Sequence, residues 1–171
     1  MLTITLSASD VLQEDVELCF EHSLVSLSKW ESQTKKAFFG KEEKTAEETA
    51  AYIKCMLLTE NVPDDFLNML SRDSILELTE YINDKQSATW FREEKNTKTS
   101  NEIVTSELIY YWLVQFNIPF EVENWHLNRL MTLVKIAGIK QTKSTPMSKS
   151  QQAEQYRKLN AERRAALGSS G

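Results

Sequence analysis

The run "EVENWHLNRLMTLVKIAG", residues 121–138, decides how the chain is read. Leu127, Leu130, Met131, Val134 and Ala137 recur at helical spacing, which makes one side of the segment apolar, and Gly138 supplies a stop. The pattern predicts a last core helix over 124–137, with Trp125 and His126 at its start. The same run poses a chemical alternative. Glu123 and His126 stand at the Glu-x-x-His spacing that sets two metal ligands on one helix face in di-iron carboxylate bundles. Such a site needs a second Glu-x-x-His and two further carboxylates. The only other histidine, His22, is not in that pattern, so the segment is read as a packing helix with a tryptophan anchor.

Immediately upstream, "NEIVTSELIYYWLVQF" (101–116) is the most apolar helical stretch, with Asn101 as its cap. Ile103, Leu108, Trp112 and Phe116 fall near one face, and Val104, Ile109, Tyr111 and Val114 extend the apolar surface round the cylinder. A helix apolar on most sides is central or shows a second face to a partner. "NIPFEVEN" is a hinge, since the residue before a proline is pushed out of helical geometry. "FREEKNTKTSN" (91–101) is polar after Phe91 and reads as an exposed loop.

The N-terminal half changes period. "LTITL" (2–6) alternates as a strand does, and so does "VELCFEH" (16–22), although the second run is also compatible with the start of a helix. From Ser23, a suitable N-cap, Leu24, Leu27 and Trp30 follow helical spacing, with an expected stop near Phe38-Phe39-Gly40. In "KTAEETAAYIKCMLLTEN", Thr45 and Glu48 form a capping-box pattern, and Ala51, Cys55 and Leu58 make the inner face beside Ile53 and Leu57. "PDDFLNML" restarts a short helix with Pro63 in its first turn. In "RDSILELTEYIND", Ser74 and Glu77 repeat the capping pattern above a stripe of Ile75, Leu78 and Ile82.

Beyond Gly138 the composition shifts. "IKQTKSTPMSKS" is a linker, and "SKSQQAEQYRKLNAERRAAL" is helix-forming with too few apolar residues (Tyr156, Leu159, Leu167) to fold alone. Charge divides at the same place. Residues 1–138 hold 13 Lys and Arg against 23 Asp and Glu, a balance of −10; residues 139–171 hold 7 against 2, a balance of +5. An acidic body with a basic tail bears on partners rather than on fold.

These observations predict a mainly α protein: a compact helical domain over 23–138, a small N-terminal β-ribbon or extended segment over 1–22, and a linker with a basic helical tail over 139–171. A chain of 171 residues can build a core without metal or disulfide staples, and Cys19 and Cys55, both in apolar segments, read as reduced buried thiols. "MLTITLSASD" lacks the basic and apolar regions of a signal peptide, and no apolar run approaches the length of a membrane span.

Catalytic readings find little support. Cys19-x-x-His22 offers two ligands where a structural zinc needs four. Glycine occurs only at 40, 138, 168 and 171, so no phosphate-cradling loop exists. The basic tail is diluted by Glu154 and Glu162, which favours docking on an acidic protein surface over binding nucleic acid. The residues therefore point to a non-enzymatic protein with no cofactor.

Four stretches taken together, "EHSLVSLSKWES", "EKTAEETAAYIKCM", "SELIYYWLVQFNIPFE" and "WHLNRLMTLVKI", resemble small proteins encoded among the tail genes of tailed phages and prophages of Gram-positive hosts; "LNAERRAAL" fits the same group. The resemblance spans most of residues 21–167 and implies a tail assembly chaperone or a minor virion protein. As a chaperone it would hold helical segments of tape-measure or tail-tube proteins in the host cytoplasm and self-associate; as a structural protein of head, neck or tail it would remain in the virion. No functional residue is carried over from the family.

Physically, holding a helix requires an apolar groove between helices. The expected walls are the helices 102–116 and 124–137, which nominates Trp112, Phe116, Trp125 and Leu130 as partner-binding residues. Tyr156, Arg157, Arg163 and Arg164 are the corresponding candidates on the tail.

Overall fold

The computed structural model describes residues 1–6, 14–91 and 102–144, and beyond these 150, 153–154, 156–158 and 160; of 142–144 only the backbone is described. The fold is mainly α with a small two-stranded antiparallel sheet at the N-terminus. Strand β1 (Leu2–Leu6) pairs with β2 (Val16–Phe20) in the register Leu2↔Phe20, Ile4↔Leu18, Leu6↔Val16. Because side chains alternate across a strand, this register puts six apolar residues on one face and Thr3, Thr5, Glu17 and Cys19 on the other. The run 16–22 is thus a strand at its start and not a helix. Its second edge is also used: Leu58 N–H donates to the Cys19 carbonyl (2.8 Å) and Glu21 N–H to that of Met56 (2.9 Å).

Helix α1 (Leu24–Thr34) starts on Ser23, whose hydroxyl accepts from the Ser26 N–H. It stops earlier than the glycine at 40 suggested. Lys35 adopts a left-handed conformation (φ 57°), and its N–H still reaches the Glu31 carbonyl. The chain leaves the helix because the Phe38 ring inserts among Trp30 (5.4 Å between centroids) and Tyr52 (4.4 Å). That aromatic burial outweighs another turn of helix.

Helix α2 (Ala46–Met56) carries the expected capping box, with both Thr45–Glu48 bonds formed. After Met56 the backbone is extended. Leu57 therefore packs on the core, whereas Leu58, expected on the inner face, is exposed. A short helix α3 (Phe66–Met69) leads to α4 (Arg72–Asn83), which begins one turn before the predicted box because Ser71, not Ser74, accepts the capping N–H. Along α4, Leu78 is buried and Ile75, expected on the same stripe, is exposed.

Helix α5 (Ser106–Gln115) is capped by Thr105; the expected cap Asn101 lies outside the described residues. A 3-10 turn (Phe120–Asn124) then delivers the chain to α6 (Leu127–Ser144). The predicted stop at Gly138 is not used. Glycine ends a helix by turning left-handed, and Ile139–Ser144 offers neither a second glycine nor a proline to break the run, so α6 continues six residues further.

Two compact units result, Met1–Lys135 and Ile136–Gly171. The segments 1–22 and 23–138, separate by pattern, share the first unit as far as Lys135. Within that unit one apolar cluster joins the ribbon to α2, α3 and α4 through Leu18, Phe20, Tyr52, Met56, Phe66 and Leu78. A second joins Leu24 and Leu27 of α1 to Ile109 and Leu113 of α5 and to Leu127, Leu130 and Val134 of α6. Helix α1 serves both, since its Trp30 points into the first. In the second unit, Ala153–Glu154, Tyr156–Lys158 and Asn160 are helical. No helix of the described residues is long and apolar enough to cross a membrane.

Candidate functional site: a groove between α5 and α6

Helix α5 turns Ile109 and Leu113 into the second cluster, and this fixes where its other residues go. Trp112 and Phe116, four residues apart and so on one side, flank the buried stripe and are only partly covered. On α6 the buried stripe is Leu127, Leu130 and Val134, flanked by Met131. Between the two flanks lies a groove of about 580 Å³. Trp112, Phe116 and Gln115 form one wall, and Met131, Thr132, Val134 and Lys135 the other. Phe91 closes one side, with the Lys135 ammonium 4.2 Å above its ring. The lining is apolar apart from two neutral polar residues and one cation, the composition of a hydrophobic anchor site with a single charged handle.

Of the residues nominated from sequence, Trp112 and Phe116 are where they were expected. Leu130 is a correction. It has no exposed surface and sits between α1 and α5, because its place in the helical repeat puts it at the centre of the stripe and not on its flank. Trp125 is 37% exposed and stands apart from the lining, under the Arg129 guanidinium 4.3 Å away. Tyr156 and Arg157 are exposed in the second unit, and Arg163 and Arg164 lie outside the described residues. Phe91 and Lys135 were missed. Phe91 looked like the first residue of a loop, and only the fold brings it to α6.

The chemically suggestive pairs are committed elsewhere. Glu123 accepts a 2.8 Å bond from the Tyr110 hydroxyl, whose pKa is pushed up to about 12 by burial and by that carboxylate. His126 Nε2 bonds to the Tyr81 carbonyl at 2.9 Å, so the two ends of the Glu-x-x-His spacing serve different neighbours. Both cysteines are free thiols; Cys55 donates to Gln33 Oε1 (3.6 Å), and burial pushes its thiol pKa up, away from nucleophilic character. Among the described residues no group of three or more His, Cys, Asp or Glu is placed to hold a metal ion.

Glu31 is a buried carboxylate with a purely architectural task. One oxygen accepts the Phe38 N–H (2.8 Å) and the other the Ser106 N–H (2.7 Å), which ties the end of α1 to the first turn of α5. Through Ser106 these two bonds set the position of the groove's α5 wall. A second hollow, of about 430 Å³ and lined by Trp30, Lys36, Lys44 and Glu48, is already internally paired: Lys36 meets Glu48 at 2.6 Å and Lys44 donates to the Phe38 carbonyl.

Comparison of the chain with protein-family models, curated proteins and solved structures returns no match.

Proposed function

We propose that the protein is a non-catalytic helix-binding assembly factor, a tail assembly chaperone of a tailed phage or prophage that shields apolar helical segments of tape-measure or tail-tube proteins. The apolar α5/α6 groove, with Trp112 and Phe116 facing Met131 and Val134, is the observation that carries this reading. Its dimensions suit one row of large side chains from an amphipathic helix, in the helix-in-groove mode. Lys135 at its rim favours an acidic residue next to that row. The sequence resemblance supplies the tail-assembly setting, and the host cytoplasm is the corresponding place of action.

The test is binding of the purified full chain to tape-measure and tail-tube segments from the same genome, measured by calorimetry with wild type and Trp112→Ala. An anchor tryptophan in a groove contributes about 2 kcal/mol or more, so the variant should bind roughly 30-fold more weakly. Absence of binding by wild type, or equal binding by both proteins, removes the proposal.

A second reading, a minor structural protein of the virion, draws on a different observation. Tyr111 and Val114, on the outer face of α5, and Phe120 just beyond it are all exposed. Such a face suits permanent packing between subunits, including further copies of this chain. Mass spectrometry of purified particles separates the two readings: stoichiometric presence supports the structural protein, and absence supports the chaperone.

A further inference from the structure

The two histidines, 104 positions apart in sequence, meet inside the first unit. Their ring centroids are 5.0 Å apart, and the residues are only 3% and 6% exposed. They lie where the end of β2 meets the start of α6: Ser23 and His126 form an isolated antiparallel bridge, and the Leu127 N–H donates to the His22 carbonyl at 2.6 Å. The first turn of α6 is therefore held by the histidine pair and by Asn128, whose amide donates to the Ile82 and Asp84 carbonyls at the end of α4.

The hydrogen bonds orient the rings. The Tyr81 carbonyl can only accept, so His126 Nε2 donates to it. His126 Nδ1 accepts from the Asn128 N–H at 3.3 Å. His22 Nδ1 bonds to the Tyr52 hydroxyl. The groups around the pair do not compensate a positive charge. Tyr52 approaches His22 from α2, with 5.7 Å between ring centroids, and the Tyr81 ring stands 4.8 Å from His126 on the side of α4. The Phe38 ring lies 6.4 Å from His22. Glu21, next to His22 in sequence, is engaged by the Tyr81 hydroxyl (2.6 Å) and the Met1 ammonium (2.8 Å), and Glu31 of α1 is engaged by two backbone N–H groups.

We propose that the His22–His126 pair is an acid-sensitive latch: protonation places a charge among buried groups that do not compensate it, favours states in which the first turn of α6 lifts from β2 and α4, and so loosens the α6 wall of the groove. The consequence for ligand release rests on the groove reading given above; the latch itself does not. Burial, and then the neighbouring His126 ring, hold the His22 pKa down to about 3, against an ordinary value of 6.5. The sign follows. An opened α6 exposes an imidazole that binds a proton far more tightly than the closed form, so opening is unassisted above pH 6.5 and increasingly driven as pH falls towards 3.

Native-state hydrogen exchange on the full chain, without ligand, tests this. The opening constant read from the Leu127 and Leu130 amides, corrected for intrinsic rates, should rise about tenfold per pH unit between 6 and 4. The amides of β1 and β2, which open only when the unit unfolds, should share this proton dependence but show a smaller opening constant at every pH in the window. H22N keeps a hydrogen-bonding side chain that cannot become charged, and should flatten the α6 profile. Should H22N fail to fold, the ring resonances of wild type decide instead: His22 should stay neutral below pH 5. A flat wild-type profile, an H22N profile as steep as wild type, an opening constant in the strand amides as large as that of Leu127 and Leu130, or a His22 ring titrating near 6.5 overturns the latch. Helix binding by the groove is a separate measurement at neutral pH, so its failure and the failure of the latch are distinguishable.

Discussion

Two tryptophans mark the contrast between the halves of the first unit. Trp30 is 1% exposed; its indole N–H donates to the Glu48 carbonyl at 2.8 Å, and Phe38 and Tyr52 stand edge-on against it. Trp112, on the other side, keeps part of its ring at a groove that no described side chain of the unit fills. The sheet-side cluster is closed, with its polar groups paired inside; the α5/α6 side is closed along its central stripe and open along its flank. Apolar flank residues that add little to the core are available for a partner, and this is how one small domain combines stability with an adhesive surface.

The contrast is sharpest in mutation. Trp30→Ala should destabilise the protein by about 3–5 kcal/mol in chemical denaturation, the usual result of emptying a large aromatic site in a core. Glu31→Ala should cost about 3 kcal/mol, because one buried and one part-buried backbone N–H lose their acceptor at once. If Glu31→Ala costs no more than a surface substitution, the tie between α1 and α5 is unimportant and the groove's geometry rests on apolar packing alone.

Acid should weaken the seam between the halves. With the His22 pKa held at about 3 in the folded protein and near 6.5 in the unfolded chain, the unfolded state binds the proton more tightly. Stability is therefore unaffected by this group above pH 6.5 and falls by about 1.4 kcal/mol per pH unit below it. The difference between wild type and H22N across pH 6 to 4 isolates that contribution from the carboxylates.

Smaller effects test the caps and the open flank. Thr45→Ala removes the hydroxyl half of the α2 box and should cost about 1 kcal/mol. Tyr111→Ala, on the exposed face of α5, should change stability by less than about 0.5 kcal/mol. A large loss at Tyr111 in dilute solution would mean that this face is already buried in an oligomer.

Much of the fold was legible because its signals are local. The alternation of Leu2, Ile4 and Leu6 specified a strand, and the Thr45–Glu48 pair located the start of α2 to the residue. Two of the misjudged ends share one cause. At Lys35 and at Met56 the chain stops according to what lies across the core: Phe38 finds an aromatic pocket and Leu57 finds the edge of β2. At Gly138 the helix continues because no breaker follows it in the sequence. The groove was half legible. Trp112 and Phe116 follow from α5's surplus of apolar residues, but whether Leu130 lies on the stripe or the flank depends on a rotation of α6 that periodicity leaves open by one residue in either direction.

From its residues alone the chain determines a mainly α body with an N-terminal ribbon, an acidic domain with a basic end, and the lack of a complete metal or phosphate motif. These depend on period, charge and composition, which are properties of short windows. Tertiary structure decided that His22 and His126 meet, that Glu31 bridges α1 to α5, and that Phe91 and Lys135 complete the groove. Those pairings join residues between 44 and 104 positions apart, and what brings them together is the burial of two apolar clusters to which none of the paired groups advertises its partner in sequence.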